Sequence, residues 1–104
     1  MTIAVNKIHR RDSASIANFA ESVFAYCKVV RQQDGITSAK FYWTGPDIIV
    51  VQVEAESAEV LDRAPSPEAA KAAFAIVDVG RFDAPERWEH PRDALRNYLS
   101  LIHI

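Results

Sequence analysis

The residues able to move a proton are few and scattered. The chain has three histidines, His9, His90 and His103, and one cysteine, Cys27. His90 follows Trp88 in the run Arg87-Trp88-Glu89-His90-Pro91. An aromatic beside an imidazole that titrates near neutral pH is material for an acid–base pocket. His9 stands next to Arg10 and Arg11, a group suited to meeting an anion. His90 and His9 are the candidate catalytic residues. Each also has a plainer reading, because geometry must precede pKa in naming a general base. His90 would then cap the helix that Pro91 starts or lie in solvent, and His9 would be a solvated strand end. His103 is penultimate, where fraying concentrates. Cys27 falls among apolar positions and reads as a small buried hydrophobe. No set of His, Cys, Asp and Glu has metal-site spacing, and three glycines make no phosphate-binding loop. No metal and no cofactor are expected.

The remaining candidates sit on one stretch, Ile36 to Glu54, which reads as two strands joined by a turn at Thr44-Gly45-Pro46-Asp47. Its arms are rich in aromatic and β-branched residues, the types that fit a pleated surface. A loop of two or four residues sets Trp43 opposite Ile48, Phe41 opposite Val50 and Ala39 opposite Gln52. The other face then carries Tyr42, Lys40, Ile49, Val51 and Val53. Apolar residues on both faces mean that both are covered. Helices of this chain would supply one cover and a second copy of the chain the other. Phe41, Trp43, Val50 and Trp88 would then line an apolar cleft, with Gln52 and Glu54 as its polar members. Asp47 reads foremost as a turn residue.

These residues need elements to hold them. Ile3–His9 reads as a first strand, with Ile3 and Val5 on one face and Ala4 and Ile8 on the other. Asp12 or Ser13 can cap a helix from about Ala14 to Gln33, whose stripe is Ile16, Ala20, Val23, Cys27 and Val30, widened by Phe19, Phe24 and Tyr26. Gly35 is placed for a left-handed cap. After the hairpin, Glu56–Ala64 allows a short helical segment, and Ser66-Pro67 starts a second main helix. The stretch from Phe82 to His90, interrupted by Pro85, suits an edge strand. Pro91 begins a last helix with Leu95, Tyr98, Leu99 and Ile102 on one face. Strand, helix, strand, strand, helix, strand is the ferredoxin-like βαββαβ order of an α+β fold, with a helix added at the C-terminus.

Composition sets the class. The 104 residues are expected to form one domain over 1–104; they are 49% hydrophobic and 25% charged, with a net charge of −2. A basic face for nucleic acid is not indicated. One cysteine fits a reducing cytoplasm, and no run approaches the ~20 apolar residues of a membrane span.

Phe41-Tyr42-Trp43-Thr44-Gly45-Pro46-Asp47 followed by Ile48-Ile49-Val50-Val51-Gln52-Val53-Glu54-Ala55 resembles the GYD-type domains, with Pro46 replacing the middle residue of the name motif. More loosely, the likeness extends through the alanine-rich helix from Pro67 to Val77. The element order is similar to the dimeric α+β barrel superfamily. The resemblance implies a homodimer, its two sheets facing each other through their open faces and enclosing clefts. Relatives in that superfamily include cofactor-free monooxygenases, haem-degrading enzymes, decarboxylase-like enzymes and subunits that only bind.

Two function classes follow. The first is a dimeric module that binds a small apolar or aromatic molecule in an aromatic-lined cleft; the scarcity of clustered acid–base residues favours it. The second is a cofactor-independent monooxygenase- or isomerase-like enzyme acting on a small aromatic or polyketide-like substrate, with His90, His9 or Glu54 moving protons.

Overall fold

The computed structural model describes residues 1–88. His90 and the helix expected from Pro91 lie outside the described residues. Eight elements follow in order: β1 (Thr2–Arg10), α1 (Ile16–Val30), β2 (Ile36–Gly45), β3 (Ile48–Ala55), α2 (Ala58–Asp62), α3 (Pro67–Val79), β4 (Gly80–Phe82) and β5 (Glu86–Trp88). The sheet order is β2-β3-β1-β4, and β5 also pairs with β1, every pairing antiparallel. This is the ferredoxin-like α+β arrangement anticipated from the element order.

Both main helices start as their sequences dictate, though α1 begins later than expected. The Ser15 hydroxyl accepts from Asn18 N–H at 3.1 Å, so Ser15 is the cap rather than Asp12 or Ser13. Ser66 accepts from Ala69 N–H at 3.1 Å, with Pro67 in the first turn. Helix α1 closes at Arg31, earlier than Gln33. Gly35, with φ 85°, makes the separate turn into β2. A side chain there would also strike Val60, whose Cγ2 lies 2.6 Å from the position a Cβ would take.

The helices pack on one face of the sheet. Phe19, Val23, Cys27 and Val30 of α1 and Ile76 of α3 meet Ile8, Ala39, Ile49, Val51 and Val53 of the strands in one buried cluster. The β1–β3 register, Ala4 with Val53 and Ile8 with Ile49, fixes which residues point inward. Ile3, Val5, Lys7, His9, Ile48, Val50, Gln52 and Glu54 then point to the other face. The β3 arm of the hairpin therefore faces as its sequence suggested. The β2 arm does not. Gly45 pairs with Ile48, but Trp43 pairs with Ile49 and Phe41 with Val51, because the ladder is irregular between Trp43 and Gly45. One extra residue, Thr44, reverses the phase of β2, since side chains alternate with a period of two. Phe41 and Trp43 thus turn toward the helices: Phe19 meets Trp43 edge-on at 5.8 Å between ring centroids, and Phe24 meets Phe41 at 6.3 Å.

The hairpin is pinned to the end of β1. Arg10 N–H donates to the Asp47 carbonyl at 2.8 Å, and its guanidinium bonds the Asp47 carboxylate at 2.7 and 2.9 Å. At the opposite edge, β4 and β5 act as one interrupted strand. Ile8 pairs with Phe82 and Arg10 with Gly80, whereas Ala4 pairs with Arg87 and Ile3 with Trp88. The register moves by one residue across 83–85, where Pro85 breaks the ladder.

Candidate functional site

A cleft of about 790 Å³ opens between the helix-covered face of the sheet and the helices. Its floor is Ala4 and Asn6 of β1, Ile36 of β2 and Val53 of β3; one wall is the end of α1, with Tyr26 and Val30. The opposite side is Val60, Leu61 and the segment Arg63-Ala64-Pro65, with Ala69 of α3, while Pro85, Glu86 and Arg87 close the edge. Such a volume, mostly apolar with a few polar groups, is the usual form of a small-molecule site.

Each polar member is placed by the strand or helix that carries it. Asn6 lies between Ala4 and Ile8 on the inward side of β1, so its amide faces a floor that is otherwise apolar. Among the described residues neither Asn6 nor the Tyr26 hydroxyl has a hydrogen-bond partner, and both are half-buried. Burial pushes the Tyr26 phenol pKa above its ordinary value, and neighbouring Cys27 adds to the rise. Tyr26 therefore stays a neutral donor well into alkaline solution. Burial likewise raises the Cys27 thiol, partly offset by Arg31, so this thiol is held in its inert, protonated form. At the rim, Arg63 donates to the Asp34 carbonyl at 3.5 Å, and Arg87 forms an ion pair with Asp62. Asn6 and Tyr26 can position a carbonyl, hydroxyl or phenol. Neither takes up a proton at neutral pH, and the carboxylates of the lining, Asp34 and Glu86, are exposed.

The residues singled out from the sequence fall elsewhere. Phe41 and Trp43 pack against α1. Val50, Gln52 and Glu54 stand on the opposite face of the sheet, and Trp88 joins them there through its pairing with Ile3. The set is thus divided between two faces, and none of its described members lines the cleft. His9 is also on the open face, where its Nε2 lies 2.9 Å from Asp83 Oδ2. That hydrogen bond holds the Asp83 carboxyl below the usual aspartate range, against the opposing effect of desolvation and with help from the charges of His9, Arg81 and Lys7. Sequence reasoning passed over Asn6, Gln33, Arg63 and Arg87. For Asn6 a signal existed: a polar side chain in phase with Ala4 and Ile8 on a strand's inward face. Among the described residues no three His, Cys, Asp or Glu side chains are grouped to hold a metal ion, and no helix is long and apolar enough to cross a membrane.

The sequence matches no family profile and no curated protein. Solved structures do match the fold. SnoaB, a cofactor-independent oxygenase from Streptomyces nogalater, superposes with a TM-score of 0.75 over 86% of this chain and 91% of its own, at 13% identity. A proposed antibiotic biosynthesis monooxygenase from Deinococcus radiodurans gives 0.67 over 86% and 92%, at 15% identity. A dimeric protein of unknown function and ferredoxin-like fold from Bacteroides fragilis gives 0.63 over 86% and 96%, at 12% identity. At these identities the likeness establishes the ferredoxin-like fold.

Proposed function

We propose that this protein binds a small, largely apolar molecule in the cleft between sheet and helices, oriented by Asn6 and Tyr26. The observation that carries this reading is the cleft itself: about 790 Å³, with two half-buried polar groups, free of partners among the described residues, set in an apolar lining. A flat or aromatic ligand with one carbonyl or hydroxyl group satisfies both the apolar walls and the two hydrogen-bonding groups. The open face of the sheet, with Val5, Ile48 and Val50, would take a second copy of the chain. The dimeric neighbour from Bacteroides fragilis supports that assembly.

The likeness to a cofactor-independent oxygenase supports an enzymatic form of the same reading. Asn6 and Tyr26 would donate to an oxyanion on the substrate. The substrate would have to be acidic enough to lose its proton to the rim carboxylates or to water. The lack of a basic group on the cleft floor makes binding the better-supported function.

Native mass spectrometry and dye fluorescence test the cleft. Ala4→Phe should fill the floor and abolish both retained ligand mass and the fluorescence of 1-anilinonaphthalene-8-sulfonate, while Ala75→Phe on the exposed side of α3 keeps both. Equal behaviour of the two folded variants would sink the proposal.

A further inference from the structure

Helix α2 closes one side of the cleft with little to hold it there. It spans five residues, none of them buried, and Ser57 before it makes no side-chain capping bond. Isolated helices of this length have no stability of their own. Yet α2 and the residues just after it supply Val60, Leu61, Arg63, Ala64 and Pro65 to the cleft lining. Its attachments are specific. Val60 rests over Gly35, where only the absence of a side chain makes room. Leu61 packs at the margin of the core, and Arg63 reaches the Asp34 carbonyl. Across the cleft, Asp62 at the end of α2 is paired with Arg87 of β5. Both of these side chains are substantially exposed, at 62% and 42%. An exposed pair adds little to the stability of a fold, but this one spans from the wall to the edge strand and ties the least anchored element shut.

We infer that α2 is a gate over the cleft, latched by the Asp62–Arg87 pair, and that a ligand enters and leaves by its opening. The inference rests on the cleft being the binding site. Its latch can nevertheless be tested without any ligand. Local opening of a weakly packed segment is read by hydrogen exchange. Asp62→Asn and Arg87→Gln should each speed exchange of the amides between residues 58 and 64 by roughly two- to five-fold, the range an exposed ion pair supports. The charge-reversed double variant Asp62→Arg/Arg87→Asp should bring the rate back toward that of the parent. In stopped-flow mixing with 1-anilinonaphthalene-8-sulfonate, Asp62→Asn, whose site lies outside the cleft lining, should raise the association and dissociation rates together. Unaltered exchange in both single variants would overturn the latch. So would a double variant no slower than the singles. Faster exchange without faster dye kinetics would overturn the gate. If the dye fails to bind the parent protein at all, the binding reading of the cleft falls, while the exchange data still judge the latch.

Discussion

The pairing of β2 can be tested by whether Phe41 and Phe24 feel each other. In the structure their rings meet edge-on at 6.3 Å, because the extra residue at Thr44 turns Phe41 toward α1. A regular hairpin of the kind the sequence suggests would turn Tyr42 toward the helices instead. Full truncation of a buried Phe costs about 3–5 kcal/mol. Phe41 is half-buried, so Phe41→Ala should cost about 2 kcal/mol on the same scale. Phe24 is 53% exposed, so Phe24→Ala should cost about 1 kcal/mol. The decisive quantity is their coupling. Edge-to-face aromatic pairs contribute about 0.5–1.5 kcal/mol beyond buried area, and the exposure of Phe24 puts this pair at the lower end. The double variant should therefore lose less than the sum of the singles by about 0.5–1 kcal/mol in urea denaturation, a deficit that isolates the contact. Phe24 and Tyr42, on opposite faces, should be additive. Additivity for Phe24 with Phe41, or coupling of Phe24 with Tyr42, would refute the shifted register.

The proposed dimer predicts that Val50→Lys, which puts a charge on the open face, gives a folded monomer in native mass spectrometry; an intact dimer would exclude that face from the interface. The Tyr26 pKa, raised by burial, predicts that ultraviolet titration of the native protein shows one tyrosine ionising above the ordinary value of about 10. In the unfolded chain that phenol loses its proton first. Stability should therefore fall as pH rises through the ordinary tyrosine range and level off only above the raised value, and Tyr26→Phe should remove this share of the alkaline loss.

What the sequence conveys is local phase. Ser66-Pro67 announces α3, the β-branched runs announce β3, and their order yields the ferredoxin-like fold. Alternation along β3 places Val50, Gln52 and Glu54 correctly on the open face. It fails across Thr44, because an irregularity one residue long leaves no mark in composition, while it moves Phe41 and Trp43 to the other side. The cleft was hidden for a different reason. Its lining comes from seven separate segments, and no single stretch announces Asn6, Tyr26 and Arg63 as neighbours. The groups that face the cleft are an amide, a phenol and a guanidinium spaced far apart in the chain.

The interruption between β4 and β5 has an evolutionary reach. Continued without its one-residue step, the pairing of Ile8 with Phe82 would bring Glu86 opposite Ala4 and Arg87 opposite Ile3. Trp88 would then turn toward the helices and Arg87 toward the open face. Inserting one residue between Asp83 and Pro85, with the step itself still one residue long, would give that same register, taking the latch arginine out of the cleft and offering a tryptophan to its end of the strand, with no substitution at all. A lineage carrying this scaffold could exchange an ionic rim for an aromatic one in a single mutational event. The same change would put Arg87 in place of Trp88 on the open face of the sheet.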